Sequence, residues 1–230
     1  MAARAVAFES IDVANDAEGL AALGALGLRT VPVVAVGKRY VFGQSIAEVA
    51  AFLGIDATGE GPLPPAELAD RLDRVLAAAA RLLRQIPDDR IGDKLPNRDR
   101  SYRELGNHVF IIADAFLRVI GGATLTTESL ARPPAAEMRT GVDVAAFGTD
   151  VRGRVAAWWA SAVDADFGRL VPTYYGDQPL HDVMERTTWH AAQHVRQLAM
   201  VVENLEIVPD GPLTVADLAG LPVPEKVWDE

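Results

Sequence analysis

The stretch Thr188-Trp189-His190-Ala191-Ala192-Gln193-His194 indicates how most of the chain folds, because it places two histidines on one face of a helix. Side chains four residues apart lie one helical turn apart on the same side. That side also carries a mostly apolar series, at Val183, Thr187, Leu198, Val201 and Leu205. An α-helix with this stripe is predicted to bury both imidazoles in a protein core.

A third histidine occupies the same kind of position further upstream. His108 falls in a series with the spacing of a helical core face, at Leu105, Ile112, Ala115 and Val119. Burial of an imidazole is unfavourable unless the ring finds a partner, and one shared metal ion satisfies three rings together. The alternative is that all three are ordinary core residues, and for His108 taken alone that interpretation is the better one. For His108, His190 and His194 together we expect a metal site.

The donor set indicates what kind of metal site this is. Three neutral imidazoles leave one position open for water or substrate, which is the composition of a catalytic site rather than a closed structural one. The chain has no cysteine, so disulfides, thiolate ligands and cysteine nucleophiles are excluded. Zinc is the expected divalent ion, and nickel, iron or manganese suit the same ligands.

Composition limits the partners. The 230 residues are 50% hydrophobic and carry a formal net charge of -10. An acidic surface gains no counterion-release energy on nucleic acid or on anionic membranes, so neither is expected as a partner and a small-molecule substrate is favoured. Because no run of 18 apolar residues and no signal-type segment occurs, we expect a cytoplasmic protein.

The pattern of elements predicts an α+β chain with several domains. Residues 1–55 mix strand and helix signals, residues 56–65 are rich in glycine and proline and are predicted to be a linker, residues 66–204 are almost entirely helical, and residues 205–230 are predicted to be an extended tail. The first of these segments is predicted to contain strands at 5–13, 30–36 and 39–42, with a helix from Asn15 or Asp16 to Gly27 and another at 45–53.

The helical segment predicts a four-helix bundle. Its helices are expected at 66–86, 101–120, 142–165 and 179–204, from their caps and their terminating glycine and proline residues. The connection 121–141 is too long for a tight loop, so we expect it to cross one end of the bundle.

Residues near the histidine pair are candidates for substrate binding. Arg196 is a candidate anion clamp, because a planar guanidinium suits a carboxylate or a phosphate. Tyr174 and Tyr175 are candidates for the mouth of a cavity. The alternative is that the tyrosines pack on the bundle end and that Arg196 belongs to a solvated helix face, together with Glu185, Gln193 and Gln197. His181, near the start of the last helix, is assigned no ligand role.

The motifs around the histidines resemble those of the DinB/YfiT-like superfamily of metal-dependent proteins. The resemblance rests on Leu105-Gly106-Asn107-His108-Val109 in the second helix and on residues 189–198 in the fourth, and it covers about 66–204. Members have a bundle with one histidine on the second helix and two on the last, which implies His108, His190 and His194 here. Relatives include thiol-dependent transferases and isomerases, so a low-molecular-weight thiol is implied as co-substrate.

Residues 5–54 resemble the second half of a glutaredoxin, which has a thioredoxin fold. The matching stretches are 8–13, 30–34 and 37–43. The first strand and the cysteine-bearing helix of that family have no counterpart, so redox chemistry is excluded. The resemblance implies a cis Val31–Pro32 bond and a thiol-binding loop at Val31 and Pro32; a docking or dimerising module is the alternative.

These observations lead to two functional hypotheses. The first is a metal-dependent enzyme, a thiol transferase or a hydrolase, acting on a small molecule. The second is a non-catalytic metal or small-molecule binding protein, such as a sensor or a carrier. A homodimer is also expected, because the partial α/β unit would leave an open sheet edge that must be paired or covered.

Overall fold

The computed structural model describes residues 7–13, 15–55, 62–96, 98–162, 165–224 and 226–227. It has a mixed α+β architecture, as the sequence predicts, and the chain divides into two compact units, Met1–Ala57 and Thr58–Glu230. Most of the predicted linker, residues 56–61, lies outside the described residues. Among the described residues, no helix combines the length and the apolar character that a membrane span requires.

The first unit contains two helices and a hairpin, in the order α1 (Ala17–Ala25), β1 (Val33–Val36), β2 (Arg39–Phe42) and α2 (Ile46–Leu53). Asp16 caps α1, and the Ser45 hydroxyl accepts the Glu48 amide of α2. The strands pair antiparallel, with Gly37 at a positive φ of 62° in the turn between them. These elements confirm the predicted helices and hairpin.

The predicted strand at 5–13 is wrong over the residues that the structure describes. Residues 7–13 form no strand, and Phe8 and Ile11 are about half exposed. A strand needs a neighbour that takes up its backbone hydrogen bonds, and the sheet of the described part of this unit holds only β1 and β2. The Val31–Pro32 peptide bond is cis, as expected from the resemblance to glutaredoxin.

The second unit is built on four long helices. Its elements are α3 (Pro65–Gln85), α4 (Tyr102–Ile120), α5 (Thr127–Leu130), α6 (Gly141–Ser161), β3 (Leu170–Thr173), β4 (Gly176–Pro179), α7 (Leu180–Asn204) and α8 (Val215–Leu218). Helices α3 and α4 each pack against both α6 and α7, so the four form a bundle. Helix α6 ends at Ser161, before the predicted position 165, and the chain then enters the β3–β4 hairpin.

Apolar side chains from all four long helices fill the bundle core, and most of the largest are leucines. The bulkiest fully buried side chains are Phe110, Phe116, Leu68, Leu72, Leu76, Leu82, Leu83, Leu105, Ile112, Leu180, Met184 and Leu198. Helix α4 begins at a capping box, in which Ser101 and Glu104 satisfy each other's backbone amides. The cap fixes where the helix starts, and it therefore fixes which side chains of α4 face the core.

A buried carboxylate joins the connection 121–141, called the crossover below, to the bundle. Asp114 of α4 is 5% exposed and accepts hydrogen bonds from Arg154 (2.8 Å), Arg118 (3.0 Å) and Arg132. Burial alone would raise the pKa of Asp114, but the three guanidinium groups hold it below its ordinary value. Because Arg132 belongs to the connection 121–141, this network holds the crossover against α4.

Two glycines of α6 give a matched pair of variants. A Cβ at Gly148 would come within 2.1 Å of the Phe110 ring in the core, whereas a Cβ at Gly153 meets nothing within 4 Å. Alanine favours an exposed helix position over glycine by about 1 kcal/mol, and overpacking a core costs about 1–3 kcal/mol. We predict that Gly148→Ala lowers the free energy of unfolding and that Gly153→Ala raises it. Denaturation in urea measures both, and equal effects would contradict the close packing of α4 on α6.

Candidate metal centre

Three histidines from two neighbouring helices converge at one place in the bundle. His108 comes from α4, and His190 and His194 come from successive turns of α7. Each offers one ring nitrogen, and the three nitrogens lie within 4.8 Å of one another. One point therefore lies within about 2.8 Å of all three, so small ring movements bring them to the ~2.0–2.1 Å of a zinc–nitrogen bond. The predicted convergence is confirmed. His181 is outside the cluster, and its Nε2 lies 2.8 Å from the Leu63 carbonyl oxygen.

The crossover orients His108. The Nδ1 of His108 lies 3.0 Å from the carbonyl oxygen of Leu130, at the end of α5. A carbonyl oxygen only accepts, so Nδ1 carries the proton and donates. The lone pair of the neutral ring is then on Nε2, and the hydrogen bond fixes the direction of that lone pair.

The C-terminal tail orients His194 through a glutamine. The Nδ1 of His194 lies 2.7 Å from the Oε1 of Gln197, whose Nε2 donates to the carbonyl oxygen of Val227 at 3.2 Å. The Val227 carbonyl requires the amide nitrogen of Gln197 on its side, so Oε1 faces the histidine and accepts its Nδ1 proton. His194 is thereby held in the same tautomer as His108, with Nε2 as the free donor atom.

His190 lacks this kind of support. Its Nδ1 is buried and has no hydrogen-bond partner among the described residues. Leaving a buried polar atom without a hydrogen bond costs about 1–3 kcal/mol. A histidine that served only to fill the core would be expected to have its polar atoms paired. A cation bound at the cluster fits the observation, because coordination through Nδ1 would give this atom the partner that it lacks.

The electrostatics of the cluster favour neutral rings. Burial, reinforced by the neighbouring positive charges, lowers the pKa of His194 to about 4 and that of His108 to about 2, and it holds the pKa of His190 well below its ordinary value. All three imidazoles are therefore neutral at pH 7, the form that binds metal, and none has to lose a proton first. By the exposed fraction of the whole residue, all three histidines are half-buried.

Arg186 and Arg100 are among the arginines whose positive charge acts on the cluster. Arg186, one turn before His190 on α7, is 3% exposed, and its charge acts on His108 and His190. Its guanidinium lies over the rings of Tyr174 and Tyr175, at 5.9 and 5.8 Å from their centroids, and donates to the Tyr174 hydroxyl at 3.2 Å. The two tyrosines thus hold Arg186, and their predicted place at a cavity mouth stays a prediction. The second arginine, Arg100, precedes α4.

Arg196 is engaged elsewhere. Its Nη1 donates to the Gln193 side chain at 2.8 Å and to the carbonyl oxygen of Pro224 at 2.5 Å. At about 100° per residue, a helix turns Arg196 roughly 200° from His194. The structure therefore shows Arg196 as a contact of the tail, and its role as an anion clamp stays a prediction.

Gln197, which orients His194, has a role that the sequence pattern did not predict. It was predicted to lie on a solvated helix face, but it is 8% exposed and hydrogen-bonded to His194. Its position three residues after His194 on the same helix face was the available signal. No local signal could have identified Leu130 or Arg100, because their proximity to the histidines depends on how distant segments pack.

A comparison with models of protein families finds no match to this chain, and no curated protein is significantly similar to it.

The tail and Gln197 give a testable prediction about metal affinity. Loss of a hydrogen bond that orients a metal-binding histidine typically weakens metal binding about 10–100-fold. We therefore expect Gln197→Leu to lower the affinity for zinc by that factor, measured by competition with a chromophoric chelator. Gln193→Leu is the matched control, because Gln193 also donates to the Val227 carbonyl, at 2.8 Å, yet has no hydrogen bond to a histidine of the cluster among the described residues. If both variants weaken zinc binding equally, the tail and not the His194 contact is responsible.

Proposed function

We propose that this protein is a metal-dependent enzyme that acts on a small molecule, as a thiol transferase or a hydrolase, with a divalent ion held by His108, His190 and His194. The observation that carries the proposal is the convergence of three neutral, half-buried imidazoles, two of which are locked by Nδ1 hydrogen bonds. Zinc is the expected ion; nickel, iron and manganese suit the same donors.

The residues of the cluster have defined tasks in this proposal. His108 and His194 present Nε2 in fixed directions, and the Leu130 carbonyl and Gln197 keep them there. A divalent ion supplies a Lewis acid that lowers the pKa of a thiol or a water molecule, so that the reactive anion forms at neutral pH. Three protein ligands leave the remaining position for that group.

Membership of the DinB/YfiT-like superfamily is part of the proposal. It is supported by the bundle of four long helices, with one histidine on the second helix, α4, and two on the last, α7. For the first unit, the hairpin β1–β2 followed by α2 supports a glutaredoxin-like, thioredoxin-fold origin. Thiol binding at Val31 and Pro32, a thiol co-substrate and a homodimer stay predictions.

The alternative is a non-catalytic metal or small-molecule binding protein, such as a sensor or a carrier. A structural metal site is commonly closed by four protein ligands, whereas a catalytic site keeps one position open. The cluster offers three histidines as ligands, not four. We therefore favour the enzyme.

Metal content and activity together test the proposed function. Protein purified without an affinity tag is expected to bind one divalent ion per chain, and to catalyse either transfer of a thiol to an electrophile such as 1-chloro-2,4-dinitrobenzene or hydrolysis of an activated ester. His190→Ala should lose both metal and activity while its circular dichroism persists, because the large apolar side chains that fill the bundle core are unchanged. His181→Ala, outside the cluster, should keep both. Full metal binding in His190→Ala would remove that residue from the ligand set, and metal binding with no turnover would favour the sensor or carrier.

A further inference from the structure

A short segment of the crossover, residues 129–132, holds His108 from outside the four long helices. Its carbonyl at Leu130 accepts the Nδ1 proton of His108 at 3.0 Å. Leu130 is the last residue of α5, so its carbonyl has no partner within that helix and is available to the histidine. A helix of four residues is not stable by itself. The direction of this carbonyl therefore depends on what fixes the segment around it.

Arg132 fixes the segment through three hydrogen bonds. Its Nε donates to the Ser129 carbonyl oxygen at 3.2 Å and so closes the turn that contains Leu130. Its own carbonyl oxygen accepts the side-chain amide of Asn107 at 3.1 Å. Its Nη2 donates to the carboxylate of Asp114. The Leu130 carbonyl thus lies in a stretch of chain that Arg132 binds at both of its ends.

The two partners of Arg132 outside the segment belong to the helix that carries His108. Asn107 directly precedes the histidine on α4, and Asp114 follows Asn107 by seven residues, so both lie on one side of the helix, two turns apart. The two residues are almost fully buried, at 2% and 5% exposed. Because the histidine and both anchors share one helix, Arg132 sets the position of the segment relative to the imidazole.

The bond between Arg132 and Asp114 differs from an ordinary surface ion pair. Ion pairs between two exposed groups contribute little, because water screens them. Asp114 is shielded from water, and Arg118 and Arg154 also donate to it, from α4 and α6. Its carboxylate is therefore a fixed anchor for Arg132.

We propose that Arg132 is a positioning residue for His108 as a metal ligand: it holds the Leu130 carbonyl where that oxygen keeps the proton on Nδ1 and leaves Nε2 for the ion. The inference rests on the proposed metal-dependent function and deepens it, since it names a residue outside the ligand set that determines metal affinity. The alternative is that the buried side chain of Leu130, 7% exposed, holds the carbonyl without Arg132.

Arg132→Gln tests this, with Arg118→Gln as the matched control. Arg118 donates to the same carboxylate oxygen of Asp114, at 3.0 Å, but among the described residues its guanidinium has no hydrogen bond to residues 129–132. Each variant removes one cation from Asp114, and only the first releases the segment. The affinity for zinc, measured by competition with a chromophoric chelator, should fall about 10-fold in Arg132→Gln and change less than about 2-fold in Arg118→Gln, since residues that orient metal ligands typically contribute about 10–100-fold.

The tautomer of His108 in metal-free protein gives a second measurement, which a loss of stability alone would not change. The chain has four histidines, so ¹H–¹⁵N correlation spectra of the imidazoles at pH 7 are simple, and the spectrum of His108→Ala identifies the signals of that ring. The Nδ1 of His108 should carry the proton in the wild type and in Arg118→Gln. In Arg132→Gln the ¹⁵N shifts of the two ring nitrogens should approach each other, because the proton exchanges between them. Arg132→Lys, which offers one nitrogen to Ser129 and Asp114 in place of a fork, should lie between.

An unchanged tautomer or an unchanged zinc affinity in Arg132→Gln would overturn the inference in favour of the Leu130 side chain. Equal losses in Arg118→Gln would also overturn it, because the charge balance at Asp114 would then be responsible. If circular dichroism shows that Arg132→Gln does not fold, Arg132→Lys decides by the same two measurements. If the wild-type protein binds no zinc, the proposed function fails, and the tautomer in the metal-free variants decides the inference alone.

Discussion

Two hydrogen bonds to histidine Nδ1 atoms determine what the centre of this bundle can do. The Leu130 carbonyl holds His108, and Gln197 holds His194. Each contact fixes a tautomer and directs an Nε2 lone pair, and without it a neutral imidazole rotates and exchanges its proton between two nitrogens. The crossover helix α5 and the tail near Val227 supply these contacts from outside the four long helices. Segments that look like connections therefore orient the site.

The surroundings of the histidines favour a role beyond core packing. A histidine retained only for packing would have its polar atoms satisfied by hydrogen bonds. His190 does not, since its buried Nδ1 has no partner in the described part of the chain. The rings are also half-buried, and the positive charges of Arg100 and Arg186 act on His190. The protein is acidic overall, so this positive region is local and it favours anions where the rest of the surface repels them.

Local patterns in the sequence were enough to predict the long helices and the convergence of the three histidines. Ser101 and Glu104 marked the start of α4, and the four-residue spacing of His190 and His194 placed both on one face of α7. Pairings between distant residues were not predictable in this way. The β3–β4 hairpin and α5 were not predicted. The hydrogen bond from Gln197 to Val227, which supports the contact with His194, joins residues 30 apart in the chain. Residues 5–13 are mostly apolar, as in a buried strand, but an apolar run alone supplies no neighbouring strand, and residues 7–13 form none.

The proposed function requires that one metal ion is bound by three imidazoles from α4 and α7. X-ray absorption spectroscopy of the zinc-loaded protein tests it most directly, because imidazole rings give a distinctive multiple-scattering pattern. The account predicts one zinc per chain, with three imidazole nitrogens at about 2.0–2.1 Å and one further light ligand. A spectrum with fewer than three imidazoles, or a protein that binds no zinc in a stoichiometric amount, would contradict it.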